Sequence, residues 1–214
     1  MIVHTKFHHE TVLKFEAEIV ETPCKASLSA HWTLESGRED DIVSKYGRLS
    51  DVIVVSRPTE TVDVAANLNV NAALFESGRA VLMMPPAFSH EATEKVIISW
   101  NGSVQSARAV RAAIPILERS DSVTVITIES EHTSKESGLE LESYLGWHGI
   151  ICETRYISGA PGVVGPKLIN EMDNLRADLL VMGAYTHSRM RQLILGGVTR
   201  HIMENAEIPV FMAH

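Results

Sequence analysis

The chain has 214 residues, 45 % of them apolar and 21 % charged, enough for one large domain or one and a half small ones. A net charge of −8 argues against a face built for nucleic acid, and no apolar run reaches the roughly 18 residues of a membrane span. Cys24 and Cys152 stand far apart with no CxxC, and "MIVHTKFHHE" lacks the apolar stretch of a signal peptide. A reduced, cytoplasmic protein without a disulfide framework or zinc site is expected.

In chain order, residues 1–20 carry Phe7, Val12, Phe15 and Ile19 and read as the tail of a helix, with His4 and His8 at helical spacing. "KASLSAHWTLESG" (25–37) reads as strand and turn, followed by a helix over "REDDIVSKYGRL". "DVIVVS" (51–56) is a buried strand, 62–79 a helix ended near Gly78, and "AVLMMPP" (80–86) another strand. "AFSHEATE" (87–94) reads as a linker. Five more strands follow at 94–100, 122–128, 151–157, 178–183 and 209–213. Between them lie three helical patterns. The first follows Ser103, with Val104, Ala107, Val110, Ile114 and Leu117 as its buried stripe and Pro115 expected to kink it or disturb its last turns. The second contains Leu139, Leu141 and Leu145; the third starts near Pro161 and carries Leu168, Ile169 and Met172. A last helix opens at Val198.

Alternation of this kind predicts βαβ units and an open, mostly parallel sheet of Rossmann-like type. "DVIVVS" echoes "DLLVMG" (178–183), and "AVLMMPP" echoes "PVFMA" (209–213). The expected organisation is a partial repeat at 1–86, a linker at 87–93 and a complete domain at 94–214. Lacking the mate of the first strand, the strand at 51–56 would have an open edge. Either the strand near 25–35 moves in, or another chain fills the gap, or the start of the gene has been lost.

The candidate chemistry lies in two places. Gly183 ends an apolar strand, and the loop to Gly196-Gly197 carries His187, Arg189 and Arg191, with Arg200 and His201 in the helical turn beyond. Basic groups at a helix N-terminus suit an anion; glycines that only serve turns are the alternative. "SWNGSV" places Asn101 at the end of the complete domain's opening strand, as a ligand contact or as ordinary turn-and-cap chemistry. His31, His132 and His148 have no sequence-local partner. GxGxxG, GxSxG, HExxH and a Walker loop are absent, and no catalytic set is visible.

"VIISWNGSVQSARAVRAAIPILERSDSVTVITIES" and "LLVMGAYTHSRMRQLILGGVTRHIMENAEIPVFMAH" resemble the opening and closing stretches of the universal stress protein family, and the whole chain a shortened tandem member. The resemblance implies an adenine-nucleotide alpha-hydrolase-like fold and a non-enzymatic, cytoplasmic stress protein that forms dimers and uses neither nucleic acid nor membrane. Slow ATP hydrolysis is the residual enzymatic possibility. The resemblance also implies that the last strands of the two repeats pair, here 80–85 with 209–213. Nucleotide-binding members carry a glycine, two residues, a glycine, nine residues, then glycine and Ser or Thr. Gly183 and Gly196 match; Thr186 and Gly197 depart, as does Asn101, where such members place an acidic residue. ATP or AMP, with Mg only alongside ATP, would lie among Asn101, Ile128, Met182, Gly183, Thr186, Arg189, Gly196, Gly197, Val198 and Thr199. The first half, where "VSRPTETVD" lacks a glycine pair, is expected to bind none. The alternative is a scaffold or regulator that works through its paired strands.

Overall fold

The computed structural model describes residues 2–5, 33, 35–57, 64–86, 94–128, 134–158, 161–185 and 197–214. Eight strands form one sheet: β1 (Ile2–Thr5), β2 (Val52–Ser56), β3 (Ala80–Met84), β4 (Lys95–Trp100), β5 (Ser122–Ile128), β6 (Cys152–Ile157), β7 (Leu179–Gly183) and β8 (Val210–Ala213). Among the described residues six helices join them: α1 (Glu39–Gly47), α2 (Val64–Glu76), α3 (Val104–Leu117), α4 (Lys135–Trp147), α5 (Pro161–Leu175) and α6 (Gly197–Asn205). The order across the sheet is β1-β2-β3-β8-β7-β4-β5-β6. Every pairing is parallel except β3 with β8.

The inner strands are apolar on both sides because helices cover both faces. Against α1, α2, α5 and α6 pack Ile53, Val55, Val81, Met83, Ile97, Leu180, Met182 and Met212. Against α3 and α4 pack Val96, Ile98, Val123, Val125, Leu179, Val181 and Phe211. The strands named here alternate between two cores, which is why β-branched and Leu/Met runs mark them so plainly, whereas β6 at the edge is half exposed.

Two expectations need correction. Residues 2–5 are strand rather than helix: Ile2, Val3, His4 and Thr5 pair with Val52 to Val55. The chain's own first residues thus satisfy the β2 edge that the missing strand would leave open, a solution absent from the three considered. Residues 25–32 lie outside the described residues, and no strand is described at 33 or 35–37. In α3, Val104 and Ala107 are exposed, and the buried stripe is Ser106, Ala109, Val110, Ala113, Ile114 and Leu117. The helix continues through Pro115 to Leu117. In α4, Leu141 and Leu145 are buried but Leu139 is exposed.

The pairing expected between 80–85 and 209–213 is present. Val81, Leu82 and Met83 run antiparallel to Met212, Phe211 and Val210. β8 consequently lies between β3 and β7, and all four of its residues are buried.

Candidate functional site

The strand order reverses at one point in the C-terminal part of the sheet. From β4 the chain steps outward through β5 to β6, then returns to the other side of β4 as β7. α3, which follows β4, and α6, which follows β7, pack on opposite faces of the sheet, and that change of side marks the switch point at the carboxyl ends of these strands. Register brings the expected residues to that point. Ser99 pairs with Met182 and Trp100 with Thr127, so Asn101, Ile128 and Gly183 follow on neighbouring strands. Ile128 and Met182 are buried.

Asn101 builds a turn. Its Oδ1 accepts the Ser103 hydroxyl at 2.7 Å and the Ser103 N–H at 3.3 Å. Gly102 supplies the left-handed residue (φ 68°). Ser103 then caps α3, its Oγ accepting the Ser106 N–H at 3.1 Å. Asn-Gly-Ser is therefore a working turn and cap, and the Asn101 carbonyl is already engaged.

Gly183 also has a packing reason to be glycine. A Cβ there would lie 2.5 Å from the Ser106 nitrogen and 2.8 Å from the Gln105 carbonyl carbon. The first turn of α3 rests directly on the end of β7, which also explains why small Ser106 is buried while Val104 points outward. Sequence reasoning reserved this close approach for a ligand; here the helix makes it.

Past Gly183 the chain turns sharply. Ala184 N–H donates to Ala213 O at 2.8 Å, and Tyr185 takes φ 53°, a left-handed value uncommon outside glycine. The Tyr185 N–H donates to Thr199 Oγ1 at 3.3 Å, so the buried Thr199 hydroxyl ties the start of the loop to α6. The Tyr185 ring lies 5.3 Å from that of Phe75, which in turn meets His214 edge-on at 4.5 Å. Burial pushes the Tyr185 phenol above its usual range, and the Arg200 guanidinium partly offsets this. Nothing in the sequence around Tyr185 marks this role, because its partners come from α2, α6 and the chain's last residue.

Thr186, Arg189 and Gly196 lie outside the described residues, as do His187 and Arg191. Gly197 opens α6 and is exposed, Val198 is half-buried, and no acidic side chain stands in the first turn. Of the cationic residues expected around this helix end, Arg200 and His201 are described. Arg200 pairs with Glu204 at 2.6 Å, one turn along the same helix. His201 packs on α5, where a Cβ at Gly165 would come within 2.8 Å of its ring. An anion at this helix end would meet exposed backbone and no opposing carboxylate from the first turn, so a phosphate tail is compatible with it. Among the described residues no group of three or more His, Cys, Asp or Glu could hold a metal ion, and no helix is long and apolar enough to cross a membrane.

An open α/β sheet with a switch point between β4 and β7 defines a Rossmann-like architecture. The universal stress protein family model matches residues 93–214, and the chain belongs to that family. Universal stress protein Slr1230 of Synechocystis sp. (strain ATCC 27184 / PCC 6803 / Kazusa) is 23 % identical over 167 residues, covering 75 % of this chain and 56 % of that protein. A universal stress protein of Archaeoglobus fulgidus DSM 4304 shares the fold with a TM-score of 0.64 at 16 % identity, over 81 % of this chain and 64 % of that one. A universal stress protein of Pseudomonas aeruginosa UCBPP-PA14 aligns with a TM-score of 0.57 at 12 % identity, over 83 % of this chain and 68 % of the other. The chain thus spans 56 % of its Synechocystis relative and 64 % of the Archaeoglobus chain.

Proposed function

We propose that this chain is a cytoplasmic protein that acts by binding rather than catalysis, and that its ligand is an adenine nucleotide held at the β4/β7 switch point. The observation that carries this reading is the N-terminus of α6, with Gly197 exposed and no carboxylate in its first turn, tied through Thr199 to the end of β7 beside its parallel neighbour β4. The phosphates would lie on the amides around Gly196, Gly197 and Val198, with Thr186 and Arg189 in the preceding loop. The nucleoside side would meet Asn101, Ile128 and Met182. ATP or AMP fits this chemistry, Mg accompanying only ATP. Asn101 is a weaker partner for a sugar than a carboxylate, and Gly197 provides no hydroxyl, so binding is weak. In this reading residues 1–86 are a partial, degenerate repeat, joined through 87–93 to the complete domain at 94–214.

The test is thermal denaturation with millimolar ATP, AMP and inorganic phosphate, on the native chain and on Gly197→Asp. ATP raises the melting temperature of the native chain. An aspartate at the start of α6 favours the helix dipole by about 0.3–1 kcal/mol, so the variant without ligand is at least as stable. It nevertheless loses the ATP shift by repelling phosphate. A native chain that no nucleotide stabilises sinks the proposal.

A second reading is favoured by the β3–β8 seam and by the turn and packing roles of Asn101 and Gly183. In it the protein is a ligand-free scaffold or regulator whose working surface is the pair of antiparallel strands. An absent ATP shift in a folded chain, with no nucleotide released when freshly purified protein is denatured, would select it.

A further inference from the structure

β6 closes one side of the sheet, and among the described residues no strand pairs with its outer edge. Sheet edges in natural proteins are kept apart by shortness, proline, bulges or charged side chains. This one has six residues and no proline. It is flanked by two of the most exposed large apolar side chains described, Trp147 at 85 % and Ile151 at 93 %, from the end of α4 and the approach to the strand. We propose that the β6 edge is a self-association surface, and that a second copy of this chain pairs with it antiparallel about a two-fold axis through Thr154.

The occupant is read from the charges. Along "CETRYI", Glu153 and Arg155 flank Thr154 on one side of the sheet, and both are exposed. In an antiparallel pair centred on Thr154, Glu153 falls opposite Arg155 of the partner subunit, and Arg155 opposite Glu153 of the partner subunit. Thr154 meets its own copy, and Cys152 meets Tyr156 of the partner subunit. Ile151 comes opposite Ile157 of the partner subunit, removing an almost fully exposed side chain from water. This ordering of opposite signs two residues apart neutralises itself only against an inverted copy, and it is silent about an unrelated strand. Arg155 is held 3.1 Å from Glu171 of α5, which fixes the guanidinium beside the edge while leaving it partly exposed. Backbone pairing of this kind is isologous and closes at two chains. The edge carries this surface whether or not a nucleotide binds elsewhere.

The experiment is sedimentation equilibrium on the native chain, Glu153→Arg, Arg155→Glu, an equimolar mixture of those two, and Ile151→Ser. The native chain is expected at twice its 23.6 kDa mass. Either charge reversal places like charges opposite each other twice and weakens self-association by about tenfold or more. The mixture regains the dimer, because arginines on one chain then face glutamates on the other. Ile151→Ser weakens the dimer without altering the circular dichroism of a residue that touches so little. A native monomer across the concentration range overturns the proposal. So does a dimer that none of these substitutions weakens, or a mixture no more associated than its components.

Discussion

Gly183 has a packing reason to be glycine that holds whether or not a ligand is present. Its lack of a side chain lets the first turn of α3 sit on the end of β7, with a backbone nitrogen only 2.5 Å from where a Cβ would be. The obstruction is main chain, so a rotamer change cannot relieve it. Gly183→Ala is therefore expected to destabilise the fold by about 1–3 kcal/mol, read as a lower urea midpoint with an unchanged slope. That loss occurs with no nucleotide present. A variant as stable as the native chain would return Gly183 to the role of ligand contact. Asn101 is similar: the Asn-Gly-Ser turn was legible as cap chemistry, and its bonds to Ser103 are of that kind. The Gly183 packing was not legible, because it depends on a helix that begins some eighty residues earlier in the chain.

At the scale of elements, the strands that were readable are those buried on both faces. "VIISW", "SVTVITI" and "LLVMG" alternate between two cores and admit little besides apolar residues. β1 was not readable. Four residues, Ile-Val-His-Thr, carry no decisive pattern, and they become strand by pairing with β2 far along the chain. The α3 stripe was displaced for the same reason, since close contact with β7 turned Ser106 inward and left Val104 outside. The element with most at stake is β8. Phe211 is fully buried and pairs with Leu82 across the antiparallel seam and with Val181 on the other side. Phe211→Ala is expected to cost about 3–5 kcal/mol, a core-cavity value, although the residue lies only three positions from the end of the chain. Chemical denaturation measures this. A cost below about 1 kcal/mol would mean that the seam contributes little to holding the sheet together.

For the whole molecule, one continuous sheet joins the part that matches the family to the part that precedes it. Opening should then follow distance from the middle of that sheet. Amide hydrogen exchange read by mass spectrometry is expected to be slowest in β7, β8 and β4 and fastest in the four residues of β1, with β2 and β3 between. Exchange in β3 as slow as in β8 would accord with a single cooperative unit. Fast exchange throughout residues 39–84 would show that the first part opens alone.

The position of β8 also bears on how the protein is made. β8 follows both of its neighbours in the chain and must enter between two strands already synthesised, β3 and β7. Until it does, each of those strands displays an unsatisfied row of peptide groups flanked by apolar side chains. Any nascent chain not yet extended through β8 therefore carries two sticky margins instead of none at the centre of its sheet. β8 works as a latch, and chaperones would have to shield both margins until it shuts.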